Sequence, residues 1–159
     1  MIRKAIWLAL AVLLFAGPSF AQRASRADVS FGYSYLRLIG TGGGNLNGGS
    51  VSAAGYLNNW FGIAGDVGVY RGGGGTAYTF LVGPRVSAGR SSSMSPFVQA
   101  LFGGMKVGVT GFAYSVGGGV DLRLMPHVAL RPQVDYIGMR LGGGTGNTVR
   151  LSASLVFRF

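Results

Sequence analysis

The sequence predicts an all-β protein, an eight-stranded antiparallel up-and-down transmembrane β-barrel, on three observations. First, residues 148–159 alternate. Val149, Leu151, Ala153, Leu155, Phe157 and Phe159 share one parity, and Arg150, Ser152, Ser154 and Arg158 share the other, where Val156 is the only apolar member. That two-residue period belongs to a strand with one apolar and one polar face, and about ten residues of it suit a tilted strand crossing a bilayer. Second, the same alternation recurs along the preceding chain. Third, the chain opens as an exported one does.

Arg3 and Lys4 make a charged start, residues 5–16 are an apolar run, Gly17 and Pro18 break it, and Ser19-Phe20-Ala21 supplies small residues before a cut. This is the layout of a signal peptide, residues 1–21, leaving 22–159 as the barrel domain. The alternative is an uncleaved anchor, but the run falls short of the roughly 20 residues that a spanning helix needs.

Composition excludes several classes. Thirty glycines without a three-residue period exclude collagen, and 48% hydrophobic residues exclude a disordered chain. Only 11% of residues are charged, which is sparse for a soluble surface. Cysteine is absent, so no disulfide framework exists. A net charge of +10 suggests nucleic acid in an intracellular protein. Here export and the dispersal of the bases point instead to an anionic membrane surface.

In order, residues 29–37 put Val29, Phe31, Tyr33 and Tyr35 opposite Ser30, Gly32 and Ser34, before a glycine and asparagine loop at 40–49. Residues 51–57 alternate weakly, and Asn58-Asn59 signals a tight turn. Residues 60–70 set Phe61, Ile63, Val67 and Val69 against Gly62, Ala64, Asp66 and Gly68, and Gly72 to Gly75 close the strand. The fourth strand sets Tyr78, Phe80, Val82, Pro84 and Val86 against Thr79, Gly83, Arg85 and Ser87, although Pro84 removes a ladder donor. After a serine-rich turn, residues 97–106 point Val98, Ala100 and Phe102 outward and Phe97, Gln99, Leu101 and Met105 inward. A loop is expected at 107–111. The sixth strand then sets Phe112, Tyr114, Val116, Val120, Leu122 and Leu124 against Ala113, Ser115, Gly117, Asp121 and Arg123. A turn at 125–127 leads to Val128, Leu130, Pro132, Val134 and Tyr136 opposite Arg131, Gln133 and Asp135; a loop at 142–147 precedes the last strand. Four glycine-rich loops thus fall at one end, and the turns and both termini at the other, as in even-stranded membrane barrels.

Asp66, Arg85, Asp121, Arg123, Arg131, Asp135, Arg150 and Arg158 all take the polar parity of their strands, and Asp28 joins them at the seam. On the lipid face a mid-depth Arg or Lys costs roughly 2–4 kcal/mol, so these charges are expected inside. Eight strands enclose about enough room for side chains, with Gly117 and Gly119 leaving space. A buried ion-pair plug is therefore expected rather than a polar channel. A hairpin centred on Pro126 places Asp121 opposite Arg131, and Asp28 is a candidate partner for Arg158.

No recognised catalytic or cofactor site is expected. The glycine clusters lack Gly-Lys-Ser/Thr and a following helix. His127 is the sole histidine, without cysteine or glutamate to complete a metal site. Neither a Ser/His/Asp constellation nor a cofactor is legible.

Four runs carry a resemblance: Pro96-Phe97-Val98-Gln99-Ala100-Leu101-Phe102-Gly103-Gly104, Val116-Gly117-Gly118-Gly119-Val120-Asp121-Leu122-Arg123, Leu130-Arg131-Pro132-Gln133-Val134-Asp135-Tyr136 and Asn147-Thr148-Val149-Arg150-Leu151-Ser152. They resemble a family of small bacterial outer-membrane barrels, the porin-like relatives of the OmpA transmembrane domain. The terminal Phe157-Arg158-Phe159 is similar to the signal that such barrels show to their assembly machinery. The resemblance implies the eight-stranded barrel and residence in a Gram-negative outer membrane. It implies no single activity, and no active-site motif of the family maps onto the chain.

The expected function is therefore a non-enzymatic outer-membrane barrel with a structural or surface role. The alternatives are a narrow porin, a membrane-embedded barrel enzyme, or a soluble secreted β-sandwich adhesin or lectin. Against the sandwich, Tyr35, Tyr78, Tyr114 and Tyr136 fall near the loop ends and Phe61, Phe157 and Phe159 near the turn ends, two girdles that suit two membrane interfaces. Arg37, Arg71, Lys106 and Arg140 end the first, third, fifth and seventh strands and point outward by parity. They either anchor the barrel on lipopolysaccharide or end their strands in water. The expected partners are outer-membrane lipid, lipopolysaccharide and, during biogenesis, the assembly machinery, with no nucleic acid. A monomer is expected.

Overall fold

The computed structural model describes residues 26–40 and 43–159. The segment expected to be a signal peptide, 1–21, lies outside them. Eight strands follow one another: β1 (Ala27–Ile39), β2 (Asn45–Tyr56), β3 (Phe61–Gly72), β4 (Gly75–Ser87), β5 (Met94–Val107), β6 (Val109–Met125), β7 (Val128–Leu141) and β8 (Gly144–Arg158). Each pairs antiparallel with the next, and β8 pairs with β1 to close the barrel, leaving no free sheet edge. At the seam Phe159 N–H donates to the Ala27 carbonyl at 2.9 Å.

The register sets the geometry. Traced from Val29 through Ala53, Gly65, Val82, Phe102, Tyr114, Gly138 and Asn147, one circuit returns to β1 at Ile39, ten residues beyond its start. With the usual rise and strand spacing this shear tilts the strands about 40°, so that each step to the next strand climbs about 3 Å.

The alternation sorts faces as the side chains dictate. Phe31, Val67, Phe80, Val98, Val116, Val134 and Leu151 stand exposed on the exterior. Asp28, Ser30, Ser34, Asp66, Arg85, Gln99, Asp121, Arg131, Asp135 and Arg150 are buried in the lumen. Val156 follows its parity inward despite being apolar and is fully buried. The β4–β5 ladder omits Gly83 and Pro84 yet keeps one register on both sides of them, so the proline costs local bonds without shifting the strand.

Loop lengths need correction. Asn45–Gly49 belongs to β2, Gly144–Asn147 to β8, and Gly108 alone separates β5 from β6. Glycine and asparagine suggested turns there, but the ladders of the neighbouring strands run on through these positions and satisfy their backbone groups. Consequently no connection at the loop end is longer than the turn between β4 and β5, which the sequence had suggested for the first loop.

Candidate functional site

The lumen carries the chemistry of this chain, and it is filled in two parts. Over its turn-end half the charged side chains form one continuous network. Arg150 Nη1 donates to Asp66 Oδ1 at 2.6 Å and to the Tyr70 hydroxyl at 3.0 Å, while its Nη2 donates to Asp135 Oδ2 at 2.8 Å. Gln99 links that cluster to the next, donating to Asp135 Oδ1 at 3.3 Å and accepting Arg85 Nη2 at 2.7 Å. Arg85 Nη1 lies 3.5 Å from Asp28 Oδ1, on which Arg131 Nη2 also bears at 3.3 Å. Arg131 and Arg158 then share Asp121 Oδ2, at 2.8 and 3.0 Å. The Phe97 ring lies within cation–π range of both Arg85 and Arg131, at 4.7 and 4.8 Å.

This network contains every side-chain carboxylate of the protein, because its four acidic residues are Asp28, Asp66, Asp121 and Asp135. Four buried arginines, Arg85, Arg131, Arg150 and Arg158, match them in number. The arrangement offsets the cost of placing charges in a narrow interior, since each carboxylate meets at least one guanidinium.

Toward the loop end the filling changes character. Leu36, Leu46, Tyr70, Ala77, Leu101, Met105 and Ala113 form a buried apolar cluster, with Leu38 and Met139 packed against it. Glycines on inward positions make room where the lumen is crowded. At Gly117, for example, a Cβ would overlap the Asp135 carboxylate and the Val134 carbonyl.

Two details differ from the sequence reading. Arg123 takes no part in the buried network. It keeps the ladder register, opposite the buried Ala129, but lies beside the β6–β7 turn at the mouth of the barrel, where its exposed side chain donates to the Arg90 carbonyl at 3.0 Å. Asp28 does face Arg158 across the seam, but its carboxylate turns to Arg131, Arg85 and the Tyr56 hydroxyl, leaving Arg158 to Asp121. On the ladder Arg158 stands across from His127, while its guanidinium reaches the same Asp121 oxygen as that of Arg131.

Sequence reasoning missed Gln99, Gln133, Tyr56, Tyr70 and Arg90 as members of the network. Alternation had set Gln99 inward and Gln133 on the polar face without giving them a role, and the same alternation could have flagged Tyr56 and Tyr70, which share the inward parity of their strands. Arg90 sits in the β4–β5 turn, where no periodicity operates. Its guanidinium stacks on the Tyr56 ring at 3.3 Å and its carbonyl accepts Arg158 Nη1 at 3.2 Å, closing the turn-end mouth. Burial holds its pKa below the usual guanidinium value, against the pull of Tyr56 and Asp28.

Outside, Arg37, Arg71, Lys106 and Arg140 are all exposed on the exterior face at the loop ends of β1, β3, β5 and β7. Phe157 and Phe159 are also exposed on the exterior, at the turn end. His127 is exposed in the β6–β7 turn, its Nδ1 3.2 Å from the Arg158 carbonyl oxygen. Among the described residues no cluster of histidine and carboxylate could hold a metal.

No family model matches this chain, and no curated protein does. Solved structures do match. Neisserial surface protein A is 17% identical with a TM-score of 0.70, over 87% of this chain and 100% of that one. The N-terminal β-barrel domain of Pseudomonas aeruginosa OprF is 14% identical with a TM-score of 0.56, over 85% and 100%. The attachment invasion locus protein of Yersinia pestis, Ail, is 18% identical with a TM-score of 0.52, over 82% and 97%. At such identities the likeness is one of fold. The chain is thus a closed eight-stranded β-barrel with the fold of small outer-membrane barrels, the architecture that the sequence led one to expect.

Proposed function

We propose that the protein is a non-enzymatic outer-membrane barrel with a structural or surface role, exported by a cleaved signal and closed to solutes. The observation that carries this reading is the filled lumen: an ion-paired network over one half and a buried apolar cluster over the other. A porin needs a polar, water-filled interior instead. The exterior supports residence in a bilayer. Phe61 and Arg71 bound a stretch of β3 whose exterior face (Ile63, Val67, Val69) is apolar, about 25 Å along the axis at 40° tilt, which matches the lipid-facing band of such barrels.

The test combines location and conductance. Membrane fractionation should recover the protein with outer membranes, and it should migrate faster unboiled than boiled. In planar bilayers the pure protein should give no steady conductance. A soluble periplasmic location would sink the membrane reading, and a large open conductance would replace the plug with a pore.

A further inference from the structure

The four outward bases form a belt at one height. Arg71 faces Asn47 on β2, two residues from the Asn45 that faces Arg37. Each of Arg71, Lys106 and Arg140 lies two positions earlier on its strand than the register line drawn from the base before it. That slip offsets the climb caused by strand tilt, so all four stand within about 4 Å of one level. Members of the belt are two strands, about 10 Å, apart around the barrel, too far to share one phosphate.

Each base has outward hydrogen-bonding neighbours directly across the ladder. Arg37 faces Asn45, Arg71 faces Asn47 and Thr76, Lys106 faces Tyr78 and Thr110, and Arg140 faces Thr145. Directly opposite side chains lie about 5 Å apart, a span that a phosphate can bridge. No acid competes, because every aspartate of the chain is buried in the lumen. The charge of this protein is therefore segregated, with neutralised charge inside and uncompensated cations outside. The belt caps the apolar band, beside Tyr78, where long basic side chains reach lipid headgroups.

We propose that this belt is a set of four phosphate sites for lipopolysaccharide of the outer leaflet, each built from one base and a cross-strand hydroxyl or amide. Multiple exposed phosphates on the lipid are the complementary chemistry, and they bind Arg and Lys by charge-assisted hydrogen bonds. The inference rests on the outer-membrane reading above and names the lipid that this surface recognises.

The experiment uses the whole barrel folded into neutral phosphatidylcholine vesicles, alone or doped with lipopolysaccharide, its dephosphorylated form, or phosphatidylglycerol, and with inorganic phosphate as a separate addition. Lipopolysaccharide should raise the temperature at which the folded gel band is lost, and dephosphorylated lipopolysaccharide should not. The combined Arg37→Gln, Arg71→Gln, Lys106→Gln and Arg140→Gln variant should match wild type in neutral vesicles and lose that rise. Arg71→Gln alone should weaken lipopolysaccharide binding about fivefold, the effect of one basic residue at a lipid surface. This single variant keeps the proposal testable if the fourfold one folds poorly. A rise that survives all four replacements, or that dephosphorylated lipopolysaccharide reproduces, overturns the proposal. Equal rises from phosphatidylglycerol or inorganic phosphate overturn its choice of ligand. Wild type that fails to insert into neutral vesicles refutes the membrane reading instead, whereas insertion without a response to lipopolysaccharide refutes only the belt.

Discussion

Arg131 and Asp121 face each other across the β6–β7 hairpin as a bidentate pair, with Nε on Oδ1 and Nη2 on Oδ2 at 2.8 Å. The same carboxylate also accepts Arg158. Asp121→Ala would leave two buried guanidiniums short of a partner, at a cost of about 3–5 kcal/mol. Asp28→Ala should cost less, because Arg131 keeps Asp121 and Arg85 keeps Gln99. Urea unfolding midpoints in lipid vesicles rank the two, and equal effects would count against this network.

Arg150 couples β8 to acids on both β3 and β7. Arg150→Met strands Asp66 in particular, since Asp135 keeps hydrogen bonds from Gln99 and Gln133. The expected loss is again about 3–5 kcal/mol. Adding Asp66→Asn should recover part of it, because the residual cost is that of an unpaired charge. A double-mutant cycle measures the coupling. Strictly additive losses would mean that Arg150 acts through packing alone.

Inward glycines should be intolerant where they oppose the network. Gly117→Ala pushes a methyl group into the Asp135 carboxylate and the Val134 carbonyl and should cost about 1–3 kcal/mol. Gly55→Ala, where a Cβ meets only open space, should leave the unfolding midpoint unchanged. Similar midpoints for the two variants would contradict the narrow, filled lumen.

The terminal aromatics separate assembly from stability. Phe159 closes the seam through backbone groups, while its side chain is 70% exposed. Phe159→Ala should therefore keep the unfolding midpoint of refolded protein yet lower its yield in the outer membrane, if the side chain acts as an assembly signal. Unchanged yield in cells would remove that role.

Alternation alone determined which side of the sheet each residue occupies. Arg150, Asp135 and Asp66 were legible as lumen residues because a two-residue period leaves only two faces and lipid rejects charge on one of them. Arg37, Arg71, Lys106 and Arg140 were legible as outward by the same rule. The Asp121–Arg131 pair was also readable, because a short hairpin ties its two strands in sequence.

Partners across the lumen were not readable, and strand ends were only partly so. Arg150 meets Asp66 from β8 to β3, and Asp28 meets Arg131 and Arg85 instead of Arg158, because the ten-residue shear and the reach of each side chain choose among facing strands. No single strand encodes that shear; it exists only when β8 closes on β1. Arg123 kept its inward parity, facing the buried Ala129, yet left the network because it lies at the turn-end mouth, a height that parity alone does not give. The level belt is likewise a joint product. Sequence set the direction of its four side chains, and the closed barrel brought them to one height.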